Sequence, residues 1–185
     1  ARTMVMITGG FEDLPHDASG GVDINRARGL IVDQLGAAAD LAGQYRVRLA
    51  FEPLHPMVCG FRSVVSSLGE ALDILDQLDE GHDIGLAIDA YALWWEHDLP
   101  AKLTRAGPDI LNYHVSDWLA DTRDLRLDRG MPGDGQIALL DWRQMIEAAG
   151  YHGPVEVEIF SRDRWWKEPA ETMTATILER MNRAF

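Results

Sequence analysis

The chain has 185 residues, a length suited to one domain with a buried core. Thirty Asp and Glu against seventeen Lys and Arg give a formal net charge of −13, which argues against a nucleic-acid surface, although a local Arg or Lys can still dominate one small pocket. Cys59 is the only cysteine, so neither an internal disulfide nor a cysteine-based metal cluster is expected. With no signal-peptide pattern and no apolar run of about 18 residues, a soluble, cytoplasmic protein is expected.

In chain order, Thr3 to Gly10 reads as a buried strand running into a glycine turn, followed by a polar loop over 11–21. Asp23 has the chemistry of a helix cap, and Ile24, Ala27, Ile31, Leu35, Ala38 and Ala42 follow at helical spacing up to Gly43. A strand over 46–51 ends at Glu52, where Pro53 and Pro56 stop the ladder. Ser67-Leu-Gly-Glu70 fits a capping box ahead of a helix with Leu68, Leu72, Leu75 and Leu78 on one face. The run Ile84–Asp89 is a strand, a short helix over 98–106 carries Pro100 in its first turn, and Ile110–Val115 is the next strand. After a long irregular stretch over 116–137, Asp141 is expected to cap a helix reaching Ala149. A strand over 155–160 and a helix over 168–182, with Met173, Ile177, Leu178 and Met181 on one side, complete the chain.

Five strands separated by helix-bearing connections suit successive βα units, whose right-handed crossovers make the strands parallel. No linker or charge run divides residues 1–185, so one domain is expected. Each of the last four strands delivers one metal-type ligand at or near its carboxyl end: Glu52, Asp89, His114 and Glu158. In an α/β fold that end of the sheet is where sites are built. Three carboxylates and an imidazole suit one divalent ion, Mn²⁺, Co²⁺, Mg²⁺ or Zn²⁺, and without a cation three converging carboxylates repel one another. Glu156, two residues before Glu158, is expected on the same side of its strand one layer deeper, with Arg46 or Arg48 as its partner.

Taken together, Glu52-Pro-Leu-His-Pro-Met57, Asp89 with Trp94-Trp95, His114-Val-Ser-Asp-Trp118, Arg129-Gly-Met-Pro-Gly-Asp-Gly135 and the run Gly150 to Ser161 carry a resemblance. The chain resembles the sugar phosphate isomerase/epimerase family, which shares the xylose isomerase-like TIM barrel. The resemblance implies a partial barrel whose five parallel strands correspond to strands four to eight, N-terminally incomplete, and a homodimer or higher oligomer if the chain is complete. It also implies that Glu52, Asp89, His114 and Glu158 hold the metal. Family members commonly read Asp-x-x-His after the sixth strand, with that His helping to position substrate; this sequence reads Asp89-Ala-Tyr-Ala92.

The reaction implied is proton abstraction beside the carbonyl of a sugar or sugar phosphate through an enediolate, with Glu52 and Glu158 as the proton-transferring pair. Isomerisation and epimerisation both follow from that chemistry. An inosose-dehydratase-like lyase is an alternative, as is a catalytically impaired barrel fragment that binds or supports. His55, Trp95, Asp117 and Arg129 are candidates for substrate contact or for support of the ligands, with Arg129 suited to an oxyanion or phosphate. A nuclease of the endonuclease IV type, sharing the barrel, would need more than six histidines and a basic groove.

Overall fold

The computed structural model describes residues 2–11, 14, 16–79 and 81–184; part of the polar loop expected over 11–21 lies outside them. Strand β1 (Thr3–Met6) leads to helix α1 (Ile24–Gln44), whose N-cap Asp23 accepts from the backbone N–H of Arg26 at 3.0 Å. Ala27, Ile31, Leu35, Ala39 and Ala42 form its buried stripe. The helix runs through Gly43, which was expected to end it. The chain reverses instead at Arg46, in the left-handed region at φ +56°, where its N–H and that of Tyr45 tie back to the last turn.

Strand β2 (Arg48–Phe51) follows, then the short helix α2 (Cys59–Arg62) and helix α3 (Leu68–Leu75). Ser67 caps α3 by accepting from the N–H of Glu70, as expected of a capping box. Glu70, however, reaches back to the N–H of Ser66 rather than of Ser67, and also pairs with Arg28 of α1. Strand β3 (Ile84–Asp89) runs into helix α4 (Ala90–Leu93) and helix α5 (Leu99–Ala106), and strand β4 (Ile110–Val115) matches its expected bounds. Helix α6 (Leu139–Ala148) begins two residues before Asp141, so Ala138 rather than Asp141 stands at its N-cap. Strand β5 (Val155–Val157) is shorter than expected, although the N–H of Glu158 still bonds to the carbonyl of Val115. Helix α7 (Ala170–Ala184) exposes Leu178, which was expected on its apolar side.

All five strands are parallel and lie in sequence order, β1-β2-β3-β4-β5, forming a curled half-barrel. Leu49, Ala50 and Phe51 of β2 and Leu86, Ala87 and Ile88 of β3 have no exposed surface, as expected of parallel strands covered on both faces. Phe51, Leu86 and Ile88 share a core with Leu68 and Leu72 of α3, Leu103 of α5, Tyr113 and Val115 of β4, and Ile146 of α6. Each such fully buried side chain contributes about 1.5–3 kcal/mol of burial. Gly85 matters here: a Cβ on it would stand 2.2 Å from the carbonyl oxygen of Asp109, so only glycine lets the chain entering β4 close on β3. A register shift between Leu86 and Ala87 then brings Asp89 opposite His114.

The edge strands differ. Met4 and Val5 of β1 are exposed, and so is Glu156 of β5. Glu156 therefore does not sit in a buried layer against Arg46 or Arg48. It accepts from Asn112 Nδ2 at 2.7 Å, and Arg48 pairs with Asp83. Glu156 Oε2 also lies 3.8 Å from His114 Nε2, and a carboxylate beside solvent needs no buried cation.

Candidate metal centre

The centre is built from strand ends. β2 stops at the prolines beyond Phe51 and leaves Glu52 buried, β3 ends in Asp89, β4 carries His114, and the residue after β5 but one from Glu156 is Glu158. One ligand-type atom from each of Glu52, His114 and Glu158 lies within 4.8 Å of the other two. His114 Nδ1 is 3.6 Å from Glu52 Oε1, ion-pair rather than hydrogen-bond distance, and this buried nitrogen has no hydrogen-bond partner among the described residues.

Asp89 stands beside these three and is the most deeply buried of the carboxylates. Its Oδ1 accepts from the N–H of Tyr91 at 2.9 Å, which caps α4, and its Oδ2 accepts from Arg129 at 3.0 Å. The same Arg129 nitrogen donates to Glu158 Oε2 at 2.9 Å and to Ser116 Oγ at 3.3 Å. Arg129 is buried, lies 4.3 Å over the ring of Tyr91 and 5.2 Å from that of Phe160, and so is fixed by two aromatic faces and two carboxylates.

These groups set one another's protonation. Burial works against a charged His114, but Glu52, then Asp89 and Glu158, outweigh it and hold its pKa up at about 9. Glu158 is raised, first by burial and then by Asp89, with Arg129 pulling the other way. Burial lowers His55, whose Nδ1 accepts from the N–H of Met57 at 3.2 Å, leaving the proton of the neutral ring on Nε2. Tyr91 is pushed up to about 12, mainly by burial.

The remaining expected residues form the surroundings. Asp117 is almost wholly buried, and its two oxygens accept from the N–H groups of Trp118, Gly133, Gly135 and Ile137 at 2.8–3.0 Å. It organises the loop that carries Arg129. His55 lies 4.8 Å from the ring of Trp118 and 5.6 Å from that of Trp95, and Trp118 stacks on Tyr91 at 4.9 Å. Trp95 Nε1 donates to the carbonyl of Ala92 at 2.8 Å. Tyr91 and Ser116 escaped the sequence reading: each looks like an ordinary residue near a strand end, and only the fold puts them against Arg129.

Two carboxylates and an imidazole with an orphaned buried nitrogen, with Asp89 alongside, fit a divalent cation. The family described as xylose isomerase-like TIM barrel matches residues 1–182. No curated protein matches the chain. Among solved structures, the chain is similar to protein SMc04130 from Sinorhizobium meliloti 1021, with 44% identity over 99% of this chain and 64% of that one and a TM-score of 0.89. It is also similar in fold to an IOLI protein solved with a zinc atom, with 22% identity, 98% of this chain and 61% of that one, and a TM-score of 0.76. D-psicose 3-epimerase from Clostridium cellulolyticum H10, solved with D-tagatose, shares the fold at 16% identity over 92% of this chain and 59% of that one, with a TM-score of 0.71. The chain thus spans about three fifths of the length of these relatives. With its fold, its strand-end carboxylates and its matched length agreeing, the chain belongs to the xylose isomerase-like TIM barrel family.

Proposed function

We propose that this chain carries the metal-holding and proton-transferring side of a sugar or sugar-phosphate isomerase or epimerase. The observation that carries the reading is the convergence of Glu52, His114 and Glu158 within 4.8 Å around a buried, unpartnered imidazole nitrogen. Glu52, His114 and Glu158 would hold a divalent ion, with Asp89 as the fourth ligand. Such an ion supplies Lewis-acid polarisation of a sugar carbonyl and its neighbouring hydroxyl. The zinc atom of the IOLI protein and the tagatose of the psicose epimerase, in relatives of the same fold, support this choice of ion and substrate.

The chain's own residues then divide the work. Glu158, directly after β5 and half-buried between Arg129 and the metal-facing residues, is the carboxylate that can take a proton from carbon. Glu52, at the end of β2, is the second carboxylate that can return one. Arg129, held between Asp89 and Glu158, keeps both carboxylates in place and presents positive charge to a substrate oxygen. The rings of Trp95 and Trp118 beside His55 offer an apolar wall for a sugar face and exclude water.

A second reading is an ion-pair cluster that needs no metal, and the bridging position of Arg129 favours it, since one guanidinium already neutralises part of the carboxylate charge. Native mass spectrometry with metal analysis decides between them. One Mn²⁺, Co²⁺ or Zn²⁺ per chain in the wild type, lost in Glu52→Gln and His114→Ala, is expected for the metal centre. Absence of bound metal in wild type supplied with these ions would leave the ion-pair cluster. With metal bound, NMR of candidate ketoses and their phosphates incubated in D₂O would detect deuterium entering at the carbon that loses its proton.

A further inference from the structure

We infer that Glu156 is a positioning residue of the metal centre: its carboxylate accepts the proton of His114 Nε2 and so leaves the Nδ1 lone pair of that ring free for the ion. This role depends on the metal-centre reading above and adds to it a residue that touches neither metal nor substrate.

The strand register puts the two residues side by side. β4 and β5 are parallel with His114 opposite Glu156, so both side chains leave the same face of the sheet. Asn112, two residues before His114, shares that face, and its Nδ2 donates to Glu156 Oε1 at 2.7 Å. This bond fixes one carboxylate oxygen and leaves the other, Oε2, at 3.8 Å from His114 Nε2, an ion-pair distance. The Glu156 side chain is 56% exposed, so it has room to turn Oε2 toward the ring while Asn112 keeps Oε1. No Lys or Arg among the described residues pairs with Glu156, so its charge is available to the imidazole.

The ring needs such a partner. A neutral imidazole has one nitrogen that carries a proton and one with a lone pair, and only the second binds a metal. His114 stands between two carboxylates, with Glu52 Oε1 3.6 Å from Nδ1 and Glu156 on the Nε2 side. Glu52 alone would draw the proton to Nδ1, the nitrogen that is buried in the candidate centre without a hydrogen-bond partner among the described residues. Glu156 draws it to the opposite nitrogen. A carboxylate behind a ligating histidine fixes the tautomer and the ring plane and raises the basicity of the nitrogen that meets the metal. Asn112 extends the chain by one link, holding Glu156 as Glu156 holds His114.

The test is zinc affinity, measured by competition with a chromogenic chelator, for wild type, Glu156→Ala and Asn112→Ala. Circular dichroism checks that each variant is folded. Glu156→Ala is expected to bind zinc about 10–100-fold more weakly, the usual cost of losing such a partner. Asn112→Ala keeps the charge of Glu156 and loses only its anchor, so weaker zinc binding there separates positioning from simple charge attraction. Long-range proton–nitrogen NMR of the zinc-loaded protein gives a further readout that a merely structural role would not move. In the wild type zinc should sit on His114 Nδ1, with an Nε2 proton that exchanges with solvent more slowly than in Glu156→Ala. Wild-type zinc affinity in either variant, or zinc on Nε2 with the proton on Nδ1, overturns the role of Glu156 and leaves the metal centre standing. No zinc bound by the wild type overturns both.

Discussion

Glu52 Oε1 and His114 Nδ1 stand 3.6 Å apart although their strands, β2 and β4, are not neighbours. In a flat sheet, strands separated by one other lie roughly 9–10 Å apart. The curl of the half-barrel, with β3 at its floor, brings the two side chains together.

That proximity sets a pH dependence in the metal-free protein. The imidazole titrates near 6.5 when unperturbed and at about 9 here, so the folded state favours the protonated ring. The stabilisation is complete below pH 6.5 and is lost as the pH rises through 9. Scanning calorimetry of chelator-treated protein should show the wild-type Tm falling across this window more steeply than that of His114→Gln. Divalent metal must displace the same proton, so its affinity should climb over the same range. Parallel Tm curves for the two proteins would show that His114 is not coupled to Glu52.

Arg129→Met leaves Asp89 and Glu158 facing each other without their cation. Removing one partner of a buried pair costs about 3–5 kcal/mol, and urea denaturation would read it. Saturating Mn²⁺ should restore part of that loss, because it returns positive charge to the same carboxylates. A loss below about 1 kcal/mol would mean that Arg129 does not neutralise them.

Asp117→Asn exchanges a carboxylate with four backbone donors for an amide whose NH₂ cannot accept. At least one of the N–H groups of Trp118, Gly133, Gly135 or Ile137 then loses its acceptor, at about 1–3 kcal/mol. The expected readout is faster limited proteolysis within residues 116–137. Gly135→Ala should act the same way, since its Cβ would meet the carbonyl oxygen of Trp118 at 2.2 Å. Unchanged cleavage in both would separate Asp117 from the order of this loop.

Gly85→Ala tests the seam between β3 and β4. The added methyl would stand 2.2 Å from the carbonyl oxygen of Asp109 and 2.8 Å from the side chain of Leu111. Overpacking of this kind costs about 1–3 kcal/mol. Because Asp89 and His114 are opposed across the same seam, metal affinity should fall along with Tm. A variant with wild-type Tm would mean that the seam yields freely.

Some of this was legible in the sequence for identifiable reasons. The bounds of β3 follow from a continuous apolar run, which a parallel strand covered on both faces demands. Glu52 and Asp89 stand out in the sequence because each closes such a run, whereas His114 lies in a strand interrupted by Asn112 and Glu158 follows one interrupted by Glu156. Loops carry no period, so neither the seat of Arg129 on Tyr91 nor the four donors around Asp117 could be read from spacing. The start of α6 was misplaced for a related reason: Asp117, twenty residues upstream, takes the N–H of Ile137 and turns the chain into the helix before Asp141. Glu156 was misjudged because its burial depends on what covers the concave face, which strand periodicity does not encode.

The identity of strand order with chain order has a consequence for assembly. Each βα unit docks on the one made just before it, so a nascent chain can add strands one at a time without waiting for a distant partner. Glu52, Asp89 and His114 emerge first, and Glu158 arrives with the last strand. Arg129, which pairs with both Asp89 and Glu158, lies between His114 and Glu158 in the chain. The cluster therefore gains Glu158 only when β5 pairs with β4.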